Sequence, residues 1–217
     1  MSSFALKIIA VITMLIDHSG RLIFNRFSFM NYIGRLSFPI FAFLIAEGYI
    51  HTKNLKNYFL RLLIFAIISQ IPFTLLFPDK FILNVLFTLA LGLLTISVYN
   101  KLTNKFLGIL FVIFSAILAQ ILHFDYGWSG IVIIFFFYRF RNKKIFMNLI
   151  FVFTEFIYYF YSFIQTNKTH YLLIIPFCTL SLIPINLYNG KKGKNIKYFL
   201  YMFYPLHLIA LYLIKLI

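Results

Sequence analysis

The sequence predicts an all-α, polytopic integral membrane protein, because its composition, its recurring apolar runs and its charge placement each favour that class. Of the 217 residues, 62% are hydrophobic and 12% are charged, and the mean hydropathy is +0.92. Soluble domains carry about 25% charged residues, so a soluble chain this apolar would lack a polar surface. Apolar runs of roughly membrane-spanning length recur throughout, as in helical membrane proteins. We therefore expect one transmembrane domain over residues 1–217 and no soluble domain.

Nine apolar runs define the predicted spans. A full crossing needs about 20 apolar residues. The two runs that flank His123–Gly127 are shorter, so a tilted helix or a half-span stays open for residues 124–138. The runs cover residues 4–24, 33–50, 58–77, 81–99, 106–120, 124–138, 145–163, 171–187 and 198–217.

The positions of lysine and arginine predict the orientation of these spans. The second, fourth, sixth and eighth connections hold twelve of them, whereas the odd-numbered connections hold three, which are Arg26, Lys80 and Lys168. Cytoplasmic loops carry the excess of basic residues in membrane proteins. We therefore expect a cytosolic N terminus, and the alternation independently supports nine spans.

The net charge of +15 follows mainly from this topology. The chain has no predicted soluble domain whose helix or strand could bind in a nucleic-acid groove, so a nucleic-acid partner is not expected. The single cysteine, Cys178, excludes an internal disulfide and a multi-cysteine metal site, and no metal is expected. We interpret Cys178 as a buried core residue.

The first apolar run carries four ionisable groups, Lys7, Asp17, His18 and Arg21. A charge at the centre of a membrane helix costs about 2.5 to 3.5 kcal/mol on insertion scales, and such residues usually face a protein-lined cavity. Lys7 and His18 are eleven residues apart, about 20° from the same helix face and about 16 Å apart along the axis. One stripe of this helix therefore holds a cation near one membrane surface and an imidazole well inside.

His18 is the strongest candidate for a catalytic group in this helix. A neutral imidazole near pH 7 is a capable general base. Asp17 cannot orient His18 directly, because neighbouring helical side chains point about 100° apart. We expect Asp17 to form a structural ion pair with Arg21 at i+4 or with Arg35 on the next helix.

The topology divides the polar residues into an outer group, which includes His18, and an inner group dominated by cations. That division suits a reaction in which a phosphate-rich donor is held from the cytosol and the reactive centre is reached from outside. Glu47 and His51 share a helix face at i, i+4, and either pair structurally or act in function. Prolines predict kinks at Ser37–Pro39, Gln70–Pro72 and Tyr204–His207. The further residues predicted to line a polar cavity are Asp17, Glu47, His51, Gln70, Asn84, Asp125 and His207.

The sequence contains, in this order, the phrases LKIIAVITMLIDH, IGRLSFPIFAFLIAEGYIHTKN, YFLRLLIFAIISQIPF, NVLFTLALGLL, DYGWSGI, and GKKGK with YFLYMFYPLHL. Together they resemble the TraX family, named for the F-pilin acetylation protein. The Lys7 to His18 spacing is also similar to the Arg/Lys, ten residues, His motif of the membrane acyltransferase-3 group, with lysine in the position usually held by arginine.

This resemblance implies an integral membrane acetyltransferase that uses acetyl-CoA and has His18 in the catalytic position. Combined with the geometry, it suggests that cations at the cytosolic mouth bind the phosphates of acetyl-CoA and that His18 takes a proton from the acceptor. Arg35 or Tyr204 would stabilise the oxyanion, and both direct transfer and an acyl-histidine intermediate stay open. The predicted phosphate-binding residues are Lys7, Arg61, Lys191, Lys192 and Lys194.

The expected partners are membrane lipid, acetyl-CoA and a peptide or glycan acceptor, and the expected location is the cytoplasmic membrane of a bacterium. A transporter for a small solute or for protons is the main alternative, since intramembrane His, Asp and Arg also line transport paths. The sequence shows no convincing internal repeat, which many transporter folds have. A third alternative is an accessory subunit whose polar residues only pack helices.

Overall fold

Helices account for nearly all regular structure in the described part of the chain. The computed structural model describes residues 1–23, 29–78 and 81–216, in which the β-structure is one isolated bridge between Leu83 and Phe124. The helices in these ranges are α1 (Ser3–Ile23), α2 (Phe29–Gly34), α3 (Ser37–His51), α4 (Leu55–Leu76), α5 (Val85–Lys101), α6 (Lys105–Ile121), α7 (Gly127–Arg139), α8 (Lys144–Thr166), α9 (His170–Leu180), α10 (Leu182–Asn186) and α11 (Lys197–Lys215).

The described helices confirm the predicted class, an all-helical membrane protein. When α2 is joined to α3 and α9 to α10, the described residues contain nine apolar segments that match the nine predicted runs. Five of them are long and apolar enough to cross a membrane, which is consistent with a multi-pass location. The other four are shorter, and their crossing stays a prediction: Val85–Lys101, Lys105–Ile121, Gly127–Arg139 and His170–Asn186.

Asparagine residues determine where three consecutive helices begin. The side chains of Asn54, Asn84 and Asn104 accept hydrogen bonds from the first-turn amides of α4, α5 and α6. The first four amides of a helix have no partner inside the helix, and an N-cap side chain satisfies one or two of them. These caps fix the first residues of α4, α5 and α6.

Proline acts differently at the three predicted kinks. The chain leaves the helix at Arg35 and Leu36, and Pro39 follows as the third residue of α3. Proline is tolerated there because first-turn amides have no partner inside the helix, so the predicted kink is instead a break one turn earlier. Pro72 and Pro205 do lie inside α4 and α11.

The chain packs as two compact units, each built from two separate chain segments. Unit 1 comprises Met1–Leu44 and Phe140–Ile196, and unit 2 comprises Ile45–Arg139 and Lys197–Ile217. In unit 1, α2 packs on α1 and α9, and α9 also packs on α8 and α10. In unit 2, α4 packs on α5 and α11, while α5, α6 and α7 pack on one another. Arg26 and Lys80, used above to predict orientation, lie outside the described residues.

Candidate functional site

A buried ion-pair cluster surrounds Asp17 in unit 1. The Asp17 carboxylate lies 2.6 Å from Arg21 Nη2 and 3.6 Å from Arg35 Nη2. The Asn31 amide donates to Asp17 Oδ1 at 3.2 Å and to the Asp17 carbonyl at 3.0 Å. We call Asp17, Arg21, Asn31 and Arg35 the Asp17 cluster. The prediction that Asp17 pairs with these arginines is confirmed.

Gly34 makes this cluster possible by letting α2 approach α1 closely. A Cβ atom added to Gly34 would lie 2.2 Å from Asp17 Cβ and 2.7 Å from Asp17 Oδ1. Real Cβ atoms do not approach that closely, so a residue with a side chain would displace the carboxylate. The predicted site therefore depends on a glycine that sequence reasoning did not single out.

His18 lies next to this cluster and is buried, with 7% of its surface exposed. It is also within electrostatic range of the Asp17 carboxylate. Consecutive helical side chains point about 100° apart, so the two residues face different neighbours. The structure thus places an imidazole in a protein interior beside a set of fixed charges, which is an environment suited to proton transfer.

A second buried carboxyl, Glu155 on α8, also belongs to unit 1. Only 1% of Glu155 is exposed, and neither of its oxygens accepts a hydrogen bond from the described residues. The Cys178 thiol on α9 faces it, without the geometry of a hydrogen bond. Cys178 itself is free and buried, which confirms its prediction as a core residue.

The opposite end of α1 carries the predicted phosphate-binding lysines of unit 1. The loop of residues 190–194 docks on the first turn of α1, where the amides of Ser3 and Phe4 donate to the carbonyls of Lys191 and Lys192 at 2.8 and 3.1 Å. Lys7 is half-buried one turn further on, close enough to Lys192 for the two ammonium groups to repel. We call Lys7, Lys191, Lys192 and Lys194 the lysine rim.

The backbone of this loop forms hydrogen bonds within the protein. Carbonyl groups of the loop accept hydrogen bonds from amides at the start of α1, and the Lys191 amide donates to Asn189 Oδ1 at 3.1 Å. Gly193 has a φ of +67°, and a Cβ there would lie 2.8 Å from Phe4 Cβ. The side chains of Lys191, Lys192 and Lys194 are exposed, so phosphate contacts would come from their ammonium groups.

Unit 2 holds the remaining predicted cation, Arg61 on α4, in an aromatic setting. Its guanidinium carbon lies 6.0 Å from the ring centroids of Tyr58 and Tyr201. Among the described residues no carboxylate pairs with Arg61, and its Nε is buried without a hydrogen-bond partner. A guanidinium supported by rings and unpaired with acids is suited to receive an anion.

Two further predicted pairs of unit 2 are in contact. His51 Nε2 lies 3.5 Å from Glu47 Oε2, and His51 is largely exposed. The rings of Tyr204 and His207 lie 5.5 Å apart edge to face, while His207 Nδ1 is 2.8 Å from the Phe203 carbonyl. Both predicted face-sharing pairs are confirmed as contacts.

The other predicted cavity residues of unit 2 form hydrogen bonds that link separate segments of the chain. Gln70 Oε1 accepts from the Asn84 side chain at 2.9 Å, and the Asn84 side chain also donates to the Ala66 carbonyl at 2.8 Å. The Asp125 carbonyl accepts from Thr88 Oγ1 at 2.5 Å, and its amide donates to Leu83. These contacts join α4, α5 and the loop before α7, whereas a role in a cavity stays a prediction.

The predicted site residues therefore fall into separate groups within the two units. Unit 1 brings together the Asp17 cluster with His18 and, at the other end of α1, the lysine rim. Unit 2 holds Arg61 with its two tyrosines, and the pairs named above. Sequence reasoning missed Asn31, Tyr58 and Tyr201. Tyr58 could have been found, because it precedes Arg61 by three residues on one helix face. Asn31 and Tyr201 contact their partners from other helices, and no sequence pattern indicates those contacts.

Comparison with known proteins now adds the family. The model of the TraX protein family matches residues 2–215. A probable fimbrial assembly protein, FimC of serogroup H1 from Dichelobacter nodosus, is 29% identical over an alignment covering 97% of this chain and 94% of that protein. An uncharacterised protein of Rickettsia prowazekii strain Madrid E is 30% identical, covering 89% of this chain and 82% of that protein. No solved structure matches. The resemblance to the TraX family is thus confirmed, and the chain belongs to that family.

Proposed function

We propose that this protein is a membrane acetyltransferase that moves the acetyl group of cytosolic acetyl-CoA to an amine or hydroxyl acceptor. The observation that carries the proposal is the arrangement along α1. A lysine rim surrounds the first turns of α1, and the buried His18 lies beside the Asp17 cluster near the other end. Eleven residues separate Lys7 from His18, which is about 16 Å of helix. The phosphates and the thioester of one extended cosubstrate are separated on this scale.

The acetyl transfer follows from these positions. The ammonium groups of the lysine rim hold the phosphates by charge-assisted contacts, and the pantetheine arm extends along α1 toward His18. The acceptor nitrogen or oxygen attacks the thioester carbon, forming the new C–N or C–O bond, while His18 takes the acceptor's proton. The C–S bond then breaks, and the proton passes from His18 to the CoA thiolate. Arg35 stabilises the oxyanion.

Arg61 and Tyr204 belong to unit 2, and their roles as a phosphate-binding cation and an oxyanion donor stay predictions from the sequence. Arg61→Ala should weaken CoA binding, whereas Tyr204→Phe should reduce turnover without weakening it. The similarity of the Lys7 to His18 spacing to that of the membrane acyltransferase-3 group also supports the reaction. The fimbrial name of the D. nodosus relative supports a pilin-type polypeptide as acceptor.

The decisive experiment combines acetyl transfer with CoA binding for His18→Ala in detergent-purified protein. Removing a general base typically costs about 10² to 10⁴ in rate. We expect turnover to fall by that factor while calorimetry shows unchanged CoA affinity. Thr13→Val is the matched control, because Thr13 is also buried in α1 and its hydroxyl bonds to the Ile9 carbonyl of the same helix.

Two outcomes would contradict the proposal. Wild-type turnover in His18→Ala would remove His18 from the chemistry. Absence of CoA binding by the wild-type protein would remove the donor, and solute flux through the protein in liposomes without nucleotide would then favour the transporter.

A further inference from the structure

The two buried carboxyl groups of unit 1 have very different partners. Asp17 receives two arginines and an asparagine amide, at 2.6, 3.6 and 3.2 Å. Glu155 is buried even more completely, yet both of its oxygens lack a hydrogen-bond donor among the described residues. The described part of the chain therefore concentrates its donors on one acid and leaves the other without any.

The immediate neighbours of Glu155 do not supply the missing hydrogen-bond donors. A thiol is a weak hydrogen-bond donor, and Cys178 does not reach hydrogen-bonding geometry with the carboxyl. Arg35 attracts Glu155 electrostatically, but Arg35 forms its ion pair with Asp17. A buried carboxylate without donors is strongly disfavoured relative to one in water, so the position is unfavourable unless a ligand or a proton completes it.

An ammonium group is the ligand that fits this deficit. It supplies one positive charge and three donors on a compact centre, whereas a neutral hydroxyl supplies one donor and no charge. Glu155 also belongs to the same unit as His18 and the Asp17 cluster. From these observations we infer that Glu155 binds the protonated amine of the acceptor, takes its extra proton before the neutral amine attacks the thioester, and makes this protein selective for amines over hydroxyl groups. The inference rests on the proposed function only in taking the ligand to be the acetyl acceptor.

A binding experiment without acetyl-CoA tests this inference independently of the donor. The probes are a synthetic peptide of glycine and serine with a free N-terminal amine, and the same peptide acetylated at its N terminus. Wild-type protein in nanodiscs should bind the free-amine peptide at least tenfold more tightly than the acetylated one. Glu155→Gln keeps the shape of the side chain and removes the charge, so this preference should disappear.

Thr154→Val is the matched control, since Thr154 is the neighbouring buried residue of α8 and bonds to the Ile150 carbonyl of its own helix. This variant should keep the preference for the free amine. A Glu155→Gln protein that still prefers the free-amine peptide tenfold would overturn the inference, as would a wild-type protein without any preference. If the wild type prefers the free amine but does not bind CoA, the inference stands and the proposed donor fails.

A second measurement uses the unmodified protein and covers the case in which Glu155→Gln does not fold. A membrane-permeant carbodiimide modifies buried carboxyl groups, and mass spectrometry follows the loss of unmodified Glu155, whether to the acylurea adduct or to an amide with the peptide. The free-amine peptide should slow this loss at least fivefold, and the acetylated peptide should leave it unchanged. Equal rates with both peptides would overturn the inference.

Discussion

Asp17 is the residue on which the organisation of unit 1 depends most directly. It joins α1 to α2 through Asn31 and to the turn before α3 through Arg35. Removing one partner of a buried ion pair leaves an uncompensated charge and typically costs about 3 to 5 kcal/mol. We expect Asp17→Asn to lower the free energy of unfolding in detergent by that amount, measured by denaturant titration.

His51→Gln provides the contrast for Asp17→Asn. It also removes one partner of a contact with a carboxylate, that of Glu47, but the His51 side chain is 60% exposed. Exposed pairs contribute about 0 to 1 kcal/mol, so its stability should stay close to that of the wild type. Equal losses in the two variants would show that burial of the Asp17 pairs does not matter.

The residue scale also shows how far sequence reasoning can identify contacts. The partners of Asp17 were predictable, because Arg21 follows at i+4 and a carboxylate inside a membrane helix needs a cation. Asn31 was not, because its contact depends on how α2 lies against α1. Asn84 was interpreted as a cavity residue inside the run 81–99, although asparagine is also a favoured N-cap residue. The structure uses it as the cap of α5.

Most helices were predictable because their apolar runs are long and bounded by polar residues. Predicted runs such as 106–120 and 145–163 agree with α6 and α8 to within a few residues. Sequence reasoning did not predict that two of the runs each divide into two helices. The second divides at Arg35 and Leu36. The eighth divides at Ser181, where no charge interrupts the apolar composition. Hydropathy indicates which residues favour lipid. It does not show where the backbone hydrogen bonds of a helix are interrupted.

Gly34 gives the clearest prediction for an element, the contact between α2 and α1. Gly34→Ala places a methyl group against the backbone-proximal Cβ of Asp17, which cannot rotate away. Overpacking costs about 1 to 3 kcal/mol, and displacing the carboxylate weakens its ion pairs as well. We expect a lower thermal midpoint together with reduced acetyl transfer.

Gly48→Ala is the control for Gly34→Ala within the next helix, α3. The nearest atom to its added Cβ is the hydroxyl oxygen of Tyr58, the far end of a flexible side chain. Alanine also has a higher helix propensity than glycine, so the thermal midpoint should change little. Wild-type stability and activity in Gly34→Ala would mean that α1 and α2 separate without consequence, and the Asp17 cluster would lose its proposed importance.

At the scale of the whole molecule, orientation is the property that most needs a measurement. The function proposed here requires the lysine rim to face the cytosol, and the distribution of lysine and arginine predicts that orientation. The predicted count of nine spans depends on α6 and α7 each crossing the membrane. They contain 17 and 13 residues, which correspond to about 26 and 20 Å of helix. The hydrocarbon core is about 30 Å thick, so these helices cross only if the bilayer thins locally.

Single cysteines labelled in intact cells with a membrane-impermeant maleimide test both points. Cys178 is buried, so it should give little background. Lys168→Cys and Leu122→Cys should be labelled from outside, whereas Lys101→Cys should be labelled only after the cells are permeabilised. All three positions are exposed in the structure. Labelling at 168 but not at 122 would mean that α6 and α7 enter and leave on the cytosolic side, which keeps the lysine rim cytosolic. Labelling at 101 in intact cells would place the predicted inner face outside, where cytosolic acetyl-CoA cannot reach the lysine rim, and the proposed direction of transfer would be wrong.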